Sequence, residues 1–530
     1  MIKRHVVLSG PMGAGKTTVG RVLSLRLGVP LVDTDALLEQ RLEKTIAMAY
    51  RELGERAFRE AERNVVAEAL GRSTPCVIAV GGGALVDRTN RYRALDEATV
   101  FTLTASPSVL ARRIGESSDR PLLQGGDVAV RLSEILEARA SVYAEAHWTF
   151  TTDDLEAEMV ADAIELALRH QRIVMSLGDR SYGVELCVGQ PGMTTDHVAT
   201  CTPSSIVIVT DTNVKRARGP SLHRAIAPLT IPHAEAVLVP GESRKTHHSV
   251  SMIWDVALGC GIDRDAVVVA FGGGVVGDMA GFAAATLLRG IRWVMVPTTL
   301  LAMVDASVGG KTGFDHASGK NLIGAFHQPS AVVVDVAHLA TLPEREQRAG
   351  LAEVLKAGWI VDRQLVRLAI EWVREGCPID ARLIAMIGGA IAAKVSVVRD
   401  DERESGPRAL LNFGHTVGHA LEAHGAYQRW LHGEAVAVGM VAELAALEIM
   451  GLVPKGVAAA NEADVKAVGL APRVAGGDLA AASRHLAADK KRRGEELALP
   501  VPSEAGRGRM VRVPLAAFQR AVEEVARNWA

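Results

Sequence analysis

The sequence predicts an α/β protein made of two halves. The last third of the chain is predicted to be mainly helical. From Val6 to about Leu342, short apolar runs alternate with segments of helical spacing, a pattern typical of parallel sheets with helices on both faces. A glycine-rich loop follows an apolar run twice, at residues 10–17 and 272–278. Beyond Pro343 the chain becomes rich in Ala and Leu at helical spacing. The length of 530 residues is enough for roughly three domains.

The apolar runs fix the order of the predicted elements. Expected strands are Val6 to Leu8, Pro30 to Val32, Val77 to Val80, Val100 to Leu103, Ile206 to Thr210, Val237 to Val239, Val267 to Phe271, Trp293 to Val296 and Val332 to Val334. Expected helices include Thr18 to Leu27, Leu351 to Val361, Ile384 to Val398 and Glu434 to Ile449. The helical pattern stops between Arg169 and Gly178, where Ile173 to Gly178 predicts a new first strand. We therefore expect domains at 1–168, 173–342 and 343–530.

Composition argues against several classes of partner. The chain has 59 Lys and Arg against 61 Asp and Glu, and its net charge of −2 predicts neither a nucleic-acid partner nor a membrane-surface partner. The most apolar stretch, Ala266 to Leu288, contains Asp278 and many glycines and does not predict a membrane span. The apolar run in Met1 to Leu8 is too short for a signal peptide. The five cysteines are scattered without CxxC pairs, which favours a reducing, cytoplasmic location.

The first glycine-rich loop, Gly10-Pro11-Met12-Gly13-Ala14-Gly15-Lys16-Thr17, lies between a predicted strand and a predicted helix. This is the context of a phosphate-binding P-loop. Its glycines allow backbone N–H groups to turn toward phosphate oxygens, Lys16 adds positive charge, and the Thr17 hydroxyl can hold Mg²⁺. The expected nucleotide contacts here are Gly13, Ala14, Gly15, Lys16, Thr17 and Thr18.

Two carboxylates, Asp33 and Asp35, follow the second predicted strand. Ligands of open α/β sheets bind at this carboxyl edge, so one carboxylate can reach a metal ion while the other faces an acceptor hydroxyl. An isolated Asp-x-Asp is also common in ordinary surface turns. Behind a P-loop, the functional interpretation is favoured.

Further motifs follow in order, namely Phe58-Arg59, Gly81-Gly82-Gly83, Arg120-Pro121-Leu122-Leu123 and Arg139. With the P-loop and the two carboxylates, they make residues 1–168 resemble shikimate kinase. The resemblance implies that this part of the chain phosphorylates shikimate, with ATP as the phosphoryl donor and Mg²⁺ as the metal ion. Without these motifs, each arginine would be interpreted as part of a solvated helix face.

The same resemblance implies roles for the motif residues. Arg59 and Arg139 would bind the substrate carboxylate, a task that suits arginine because a guanidinium binds bidentately. Arg120, in a lid, would stabilise charge on the transferring phosphoryl group. The implied shikimate contacts are Asp35, Arg59, Gly81, Gly82, Gly83 and Arg139. The implied catalytic residues are Lys16, Asp35 as the base and Arg120 in the lid. Asp33 would join Thr17 at Mg²⁺, and Arg113 and Arg120 would contact ATP, with Arg113 stacked on adenine.

The second glycine-rich loop, Gly272 to Asp278, satisfies the GxGxxG pattern that lets a pyrophosphate approach the backbone closely. No acidic residue ends the next predicted strand, Trp293 to Val296, where a ribose partner would be expected. Asp211, which follows an earlier strand, is the better candidate for the ribose.

Four side chains in the helical third form a candidate metal site: Glu353, His415, His419 and His432. His415 and His419 are four residues apart and share one helical face. One Glu and two His suit Zn²⁺ and leave a coordination position open. For each His taken singly, a buried structural histidine is the alternative.

Three stretches make the chain from about Val174 onward resemble 3-dehydroquinate synthase: Gly272 to Ile291, Pro297 to Asn321 and Leu411 to Ala420. The resemblance implies NAD and a divalent metal, Zn²⁺ or Co²⁺, with Glu353, His415 and His432 as ligands. The implied NAD contacts are Asp211, Glu242, Lys245, Gly272, Gly273, Gly274, Asp278, Thr298, Thr299, Lys311 and Lys320. The implied substrate contacts are Asp305, Arg289, Lys311, Lys320, Asn321, Lys356, Lys394, Arg408, Asn412 and His419, of which Lys311, Lys356, Arg408 and His419 would be catalytic.

The implied substrate, 3-deoxy-arabino-heptulosonate 7-phosphate, carries a carboxylate and a phosphate, which suits clustered Lys and Arg. In the implied reaction, NAD⁺ takes a hydride transiently beside the metal, phosphate leaves by β-elimination, and the hydride returns before ring opening and aldol closure. Phe314 and Asp315 stand where the family usually has an aliphatic residue and Asn, and Ala306 replaces a common Ser. These departures touch no implied metal ligand.

The combined resemblance predicts a bifunctional enzyme of chorismate and aromatic amino-acid biosynthesis, and it implies a homodimer formed through the synthase half. Two alternatives stay open from the sequence. One half could be catalytically silent, or the C-terminal half could be a metal-dependent polyol dehydrogenase with net NADH production. The dense set of lysines and arginines argues against the dehydrogenase.

Overall fold

A computed structural model describes residue 2 and residues 4–115, 127–317, 319–404, 406–486, 492–493, 496–503 and 508–530. Within these ranges the chain forms two compact units, Met1–Gly183 and Val184–Ala530. The candidate functional residues fall into two groups, one in each unit.

The first unit is built on a parallel sheet. Its strands are β1 (His5–Ser9), β2 (Leu31–Asp33), β3 (Val77–Ala79), β4 (Ala98–Thr104) and β5 (Trp148–Thr151). In the described part of the chain they lie in the order β2-β3-β1-β4-β5. On the central strand, Val7 pairs with Ile78 on one side and with Val100 on the other. Because β1 is buried along its whole length, its sequence has an apolar centre without alternation.

Helices cover both faces of this sheet. They are α1 (Lys16–Leu27), α2 (Thr34–Leu42), α3 (Ile46–Leu70), α4 (Arg88–Glu97), α5 (Pro107–Ile114), α6 (Val128–Ala138), α7 (Ala140–Ala144) and α8 (Ala157–Ala167), followed by strand β6 (Gln171–Met175). Val6 and Leu8 pack in one buried cluster with Val19 of α1, whereas Val7 packs in another with Val66 of α3. Alternate side chains of β1 therefore enter opposite layers.

The second unit opens with an α/β region. Its strands are β7 (Tyr182–Cys187), β8 (Ile206–Asp211), β9 (His233–Leu238), β10 (Val267–Gly272), β11 (Arg292–Pro297), β12 (Lys311–His316), β13 (Gly319–Phe326) and β14 (Ala331–Asp335). Six of these lie side by side in the order β7-β14-β11-β10-β8-β9 where the chain is described, and β12 and β13 form a separate antiparallel hairpin. The helices here are α9 (Pro191–Thr200), α10 (Thr212–Ile226), α11 (His247–Gly259) and α12 (Gly274–Thr286).

The remainder of the second unit is mainly helical. Its helices are α13 (Glu344–Ile360), α14 (Gln364–Arg374), α15 (Ala381–Val398), α16 (His415–His424), α17 (His432–Ile449), α18 (Val457–Ala467), α19 (Gly476–Ser483) and α20 (Leu515–Asn528). Three antiparallel strands, β15 (Arg492–Arg493), β16 (Glu496–Val501) and β17 (Arg509–Pro514), accompany them.

Among the described residues, only α15 is long and apolar enough to cross a membrane, with a mean hydropathy of 1.7. Within the protein, 61% of that helix is buried. It also carries Lys394, which lines the large cavity of the second unit. These features are typical of a core helix in a soluble protein.

The predicted α/β class, the parallel first sheet and the mainly helical end are confirmed. The predicted strand over Ile173 to Gly178 is β6 over Gln171–Met175. The hairpin β12–β13 and strands β15–β17 are additions that the sequence patterns did not predict.

Candidate active sites

Two positions of the P-loop have backbone conformations that favour glycine. Gly10 has φ +126°, and a Cβ there would lie 1.9 Å from the Leu103 carbonyl oxygen. Gly15, at φ +89°, precedes the first turn of α1. The Lys16 ammonium donates to the carbonyl oxygens of Gly10 and Pro11 at 2.8 and 2.9 Å, so it lies folded over the loop. The lysine thus lies against the loop whose backbone N–H groups are expected to bind phosphate.

Beside the P-loop, two aspartates take different roles. The Thr17 hydroxyl donates to Asp33 Oδ2 at 2.8 Å, while Asp33 Oδ1 caps α2 by accepting from the N–H groups of Asp35 and Ala36. Burial raises the pKa of the Asp35 carboxyl to about 6, against the opposing effect of Lys16. Asp35 is therefore ionised at neutral pH and able to accept a proton.

The glycine run on the other side of the site is crowded by functional side chains. A Cβ on Gly81 would lie 2.5 Å from Asp35 Oδ1, and a Cβ on Gly83 would lie 3.0 Å from Arg59 Nη1. Arg139 Nη1 donates to the Gly82 carbonyl at 3.0 Å. The structure thus brings Asp35, Arg59 and Arg139 together around the glycines, as the sequence predicts.

Two residues of this site were missed by sequence reasoning. Glu62 accepts from Arg59 Nη1 at 2.7 Å, and the Tyr143 hydroxyl donates to the Gly82 carbonyl at 2.8 Å. The spacing of Arg59 and Glu62, three residues apart on α3, was a signal for the first contact. Nothing in the sequence pattern pointed to the second.

The predicted ATP contacts have different placements. Arg113 donates to the Thr152 hydroxyl at 2.9 Å and to the Thr152 carbonyl at 2.6 Å, and that hydroxyl donates to the Ala14 carbonyl at 3.4 Å. Arg113 therefore lies beside the P-loop. Thr18 is exposed on α1. Arg120 and its motif lie outside the described residues.

In the second unit, one cavity of about 1940 Å³ gathers nearly all of the predicted side chains. Those lining it are Asp211, Glu242, Lys245, Gly273, Gly274, Asp278, Thr298, Thr299, Asp305, Lys311, Lys320, Asn321, Lys356, Lys394, Arg408, Asn412, His415, His419 and His432. A cavity of this size can hold a dinucleotide together with a small substrate.

Three of the predicted metal ligands converge at this cavity. Glu353 Oε1 lies 3.6 Å from His415 Nε2 and 3.7 Å from His432 Nε2. The other ring nitrogens are engaged: His415 Nδ1 is 3.1 Å from the Phe413 carbonyl, and His432 Nδ1 is 3.2 Å from Glu422 Oε2. Such partners orient an imidazole so that Nε2 faces the metal.

The donor set fits a divalent cation. Glu353 Oε1 is buried and has no hydrogen-bond partner among the described residues, although it faces two imidazoles. One carboxylate and two imidazoles are the ligand types that Zn²⁺ accepts, and a fourth position is left for a substrate oxygen. The residues present therefore suit the metal that the sequence predicts.

Lysines in the cavity are paired with carboxylates. Asp305 Oδ1 lies 3.3 Å from Lys356 Nζ and 2.9 Å from Lys394 Nζ, and these cations hold the pKa of the Asp305 carboxyl below its ordinary value. Burial lowers the pKa of Lys394 to about 8. Burial also acts against the Lys356 cation, but Asp305 and Glu353 outweigh it and raise the pKa of Lys356.

The predicted dinucleotide contacts lie at the carboxyl ends of the strands. Asp211 Oδ1 caps α10 by accepting from the N–H groups of Asn213 and Val214. Lys245 pairs with Asp278 and donates to Asn321 Oδ1. Burial raises the pKa of Asp278 despite the neighbouring Lys245.

Gly272 differs from the two glycines after it. A Cβ on Gly272 would lie 2.6 Å from Val276, so this glycine permits close packing of β10 on α12. Gly273 and Gly274 line the cavity, where a bound group can approach their backbone.

The departures from the family pattern are built into the hairpin and its neighbours. Phe314 is buried, with its ring 5.3 Å from that of Phe282 in an edge arrangement. Asp315 Oδ1 accepts from the Asn321 N–H at 2.8 Å, and the Asp315 N–H donates to the Lys245 carbonyl at 2.8 Å. Asp315 thus positions two residues of the predicted site. Ala306 lines the cavity directly.

Arg289 is the predicted substrate residue that the structure does not bring to the cavity. It is exposed, at φ +68°, and lies in a separate depression of about 410 Å³ with Arg264, Arg292 and His327.

The sequence patterns did not predict three buried or partly buried glutamates near the cavity. Glu422 pairs with Lys320 at 3.0 Å as well as with His432, Glu404 pairs with Lys311, and Glu443 accepts from the N–H groups of Gly414 and Val417. The signal for Glu422 was available, since it lies three residues after His419 on the same helix face. Glu443 holds the first turn of α16, which carries His415.

Comparisons with known proteins match each unit to an enzyme family. The family model for shikimate kinase matches residues 12–169, and the models for the N-terminal and C-terminal parts of 3-dehydroquinate synthase match residues 235–349 and 350–492. A 3-dehydroquinate synthase of Geobacter metallireducens is 49% identical over 279 residues, covering 51% of this chain and 76% of that protein.

Two solved structures resemble the second unit. A 2-deoxy-scyllo-inosose synthase complexed with carbaglucose-6-phosphate, NAD⁺ and Co²⁺ is 25% identical, with a TM-score of 0.59 over 67% of this chain and 99% of that one. A 2-epi-5-epi-valiolone synthase from Streptomyces hygroscopicus subsp. jinggangensis with NAD⁺ and Zn²⁺ bound is 26% identical, with a TM-score of 0.56 over 66% of this chain and 97% of that one.

Proposed function

The chain belongs to the 3-dehydroquinate synthase family and carries a shikimate kinase domain ahead of it, and on this premise we propose which residues carry each reaction. It is a bifunctional enzyme of the shikimate pathway. One unit phosphorylates shikimate with ATP. The other converts 3-deoxy-arabino-heptulosonate 7-phosphate to 3-dehydroquinate and phosphate.

For the kinase, the observation that carries the proposal is the position of Asp35 between the P-loop and the glycine run. Lys16 would leave the carbonyls of the loop and donate to the β- and γ-phosphates of ATP. Asp35, with its pKa near 6, would accept the proton of the attacked hydroxyl. Arg59 and Arg139 would bind the shikimate carboxylate.

Thr17 and Asp33 fit the magnesium that accompanies ATP. Thr17 Oγ1 and Asp33 Oδ2 lie 2.8 Å apart, and both are the hard oxygen donors that Mg²⁺ prefers. Arg113 would hold the adenine, and Arg120 is proposed as the lid residue on the strength of its motif alone.

For the synthase, the carrying observation is that Glu353, His415 and His432 meet at one end of a cavity lined by lysines. The bound metal supplies polarisation of the substrate hydroxyl, and bound NAD supplies a reversible hydride acceptor. Asp211 would hold a ribose of NAD, and the backbone of Gly273 and Gly274 would lie against its pyrophosphate.

The remaining charges would bind and orient the substrate. Lys356 and Lys394 are fixed by Asp305, and Arg408 Nη2 donates to the Gly309 carbonyl at 3.1 Å, so these cations have defined positions before substrate arrives. They suit a carboxylate and a phosphate. His419, exposed at the cavity wall, is placed to move a proton.

We also propose that the protein is a cytoplasmic homodimer formed through the synthase unit. The position of Arg289 supports this, because a residue expected at a substrate site lies outside the cavity of its own chain. In a dimer, Arg289 would contribute to the substrate site of the second copy. Sedimentation of a dimer, with Arg289→Ala weakening substrate binding, would support the proposal, and a fully active monomer would refute it.

The test of the whole assignment is a pair of assays on one preparation. ATP-dependent formation of shikimate 3-phosphate and release of phosphate from the heptulosonate phosphate should both occur. Absence of one activity in folded protein would favour a silent unit. A polyol dehydrogenase would instead oxidise a polyol with accumulation of NADH.

A further inference from the structure

The glycine run at Gly81 to Gly83 continues into a short 3-10 turn, Ala84–Val86, whose carbonyl oxygens are held from behind by a buried arginine. Arg91 Nη1, on α4, donates to the Leu85 carbonyl at 2.8 Å and to the Val86 carbonyl at 3.1 Å. The front of the run is held separately, where Arg139 and Tyr143 donate to the Gly82 carbonyl. The backbone that would face shikimate is thus fixed from two sides.

Arg91 is itself held by Glu145, which lies two residues after Tyr143. Arg91 Nε donates to Glu145 Oε2 at 2.6 Å, and both side chains are buried. Because a buried charge pair is stable only when its remaining lone pairs are satisfied, the other partners of Glu145 matter for the position of Arg91.

Those partners come from the segment after the kinase domain. The Ser176 hydroxyl donates to Glu145 Oε2, and the Gly178 N–H donates to Glu145 Oε1 at 2.9 Å. Val174 of β6 packs in the same buried cluster as Ala84 and Leu85. All three residues belong to the first compact unit, yet they lie beyond residues 12–169, which match shikimate kinase.

We propose that residues 174–178 are a positioning element of the shikimate site. The path runs from Ser176 and Gly178 through Glu145 and Arg91 to the turn behind the glycine run. Loss of the hydrogen bonds to Glu145 would loosen that turn and weaken shikimate binding. The P-loop, which has its own supports at Gly10 and Thr17, would keep its affinity for ATP.

The inference rests on the proposed kinase function and is tested in the full-length chain. Glu145→Ala removes the whole carboxylate, Glu145→Gln retains its shape and one acceptor oxygen, and Ser176→Ala removes one donor. Ser24→Ala is the matched control, because the Ser24 hydroxyl donates to the Val29 carbonyl at 2.7 Å at the far end of α1. The measurements are KM for shikimate, KM for ATP, calorimetric shikimate affinity and melting temperature.

Ser176→Ala should raise KM and Kd for shikimate about threefold, the size expected for one hydrogen bond, and Glu145→Ala should raise them further. Glu145→Gln should restore part of the loss. KM for ATP should stay within twofold in every variant, and Ser24→Ala should match the parent chain.

Unchanged shikimate affinity in folded Ser176→Ala and Glu145→Gln would overturn the inference while leaving the kinase assignment intact. An equal rise in both KM values would also overturn it, because the segment would then be a general structural support. If the parent chain fails to phosphorylate shikimate, the proposed function falls, and this inference falls with it.

Discussion

In the first unit, most of the cations proposed to bind phosphate and carboxylate groups donate to backbone carbonyls, whereas in the second unit most of them pair with carboxylates. Lys16 and Arg139 are examples of the first arrangement. Lys356 and Lys394, both held by Asp305, are examples of the second. Both sites bind anionic substrates, but their cations have different partners before a ligand arrives.

The difference has consequences for substitution. A carbonyl released from a lysine is neutral and can be satisfied by water, so loss of the lysine changes folding little. Removal of one member of a buried ion pair leaves an uncompensated charge, which is strongly destabilising. Substitutions of the cations in the first site should therefore separate activity from stability, whereas substitutions of the paired charges in the second should change both.

Loss of the metal should have the largest effect. His432→Ala, or dialysis of the parent chain against a chelator, should reduce phosphate release to the background of the assay, because one of three proposed ligands or the ion itself is gone. Metal content should be measured in parallel, and Zn²⁺ should restore only the dialysed parent. Kinase activity in the same samples, assayed with added Mg²⁺, is the control. Undiminished synthase activity in demonstrably metal-free protein would refute the metal assignment.

Lys16→Met should reduce kinase turnover at least about a hundredfold, since the lysine is proposed to neutralise charge between the transferring phosphates. The melting temperature and the synthase rate should remain close to those of the parent. Near-native phosphorylation by the folded variant would show that the P-loop assignment is wrong. Loss of both activities would show that the units are coupled.

Two Asp→Asn substitutions should change stability in opposite directions. Asp305→Asn leaves Lys356 and Lys394 without their shared carboxylate and should lower the free energy of unfolding of the second unit by about 3 kcal/mol. The pKa of Asp305 is depressed in the folded chain, so its contribution is present above the ordinary value near 3.8 and is lost at lower pH.

Asp35→Asn should stabilise the first unit at pH 7. The folded pKa of Asp35 is raised from 3.8 to about 6, so the ionised carboxylate costs stability above pH 6, and that cost disappears as pH falls toward 3.8. Denaturant unfolding of the two variants at pH 7 checks both signs. Equal destabilisation by both substitutions would contradict the contrast between the sites.

The two activities should also respond to pH at opposite ends. Kinase activity should rise with pH through about 6 as Asp35 loses its proton and becomes a base. Synthase activity should fall as pH rises through about 8, where Lys394 loses the charge that binds the substrate anion. Rate profiles of kcat/KM for each reaction show both limbs, and Lys394→Arg should move the alkaline limb upward. Identical profiles for the two reactions would refute these assignments.

The smallest expected effect concerns the boundary between domains, which we propose near residues 168–173. Fragments ending at 169 and at 183 should both fold, but the shorter one lacks Ser176 and Gly178 and should bind shikimate a few-fold more weakly. Equal affinities would contradict the proposed role of residues 174–178 in the shikimate site. An insoluble short fragment would show that β6 is part of the folding unit.

The sequence predicted what local patterns can carry. The strand–glycine–helix order indicated two candidate nucleotide loops, and the four-residue spacing of His415 and His419 indicated a candidate metal-binding helix. Glu353 lies 62 residues before His415, and only the family resemblance joined them. Helix spacing cannot show that α13, α16 and α17 meet.

Long-range packing explains what was missed. Ser176 supports the glycine run across a sequence separation of about 90 residues, and no periodicity of the sequence predicts such a contact. The sequence patterns did not predict the role of Glu443 for the same reason, since its partners Gly414 and Val417 lie at the start of another helix. Arg289 shows the converse, because the sequence motif assigned it to the substrate site, yet it lies apart from the cavity.

We propose that the second unit returns its hydride to the same substrate molecule, in contrast to a dehydrogenase with similar cofactor needs. The most direct test is continuous phosphate release from 3-deoxy-arabino-heptulosonate 7-phosphate with substoichiometric NAD⁺, recorded together with absorbance of NADH. We expect many phosphates released per NAD⁺ and no net NADH. One NADH formed per product would contradict the account.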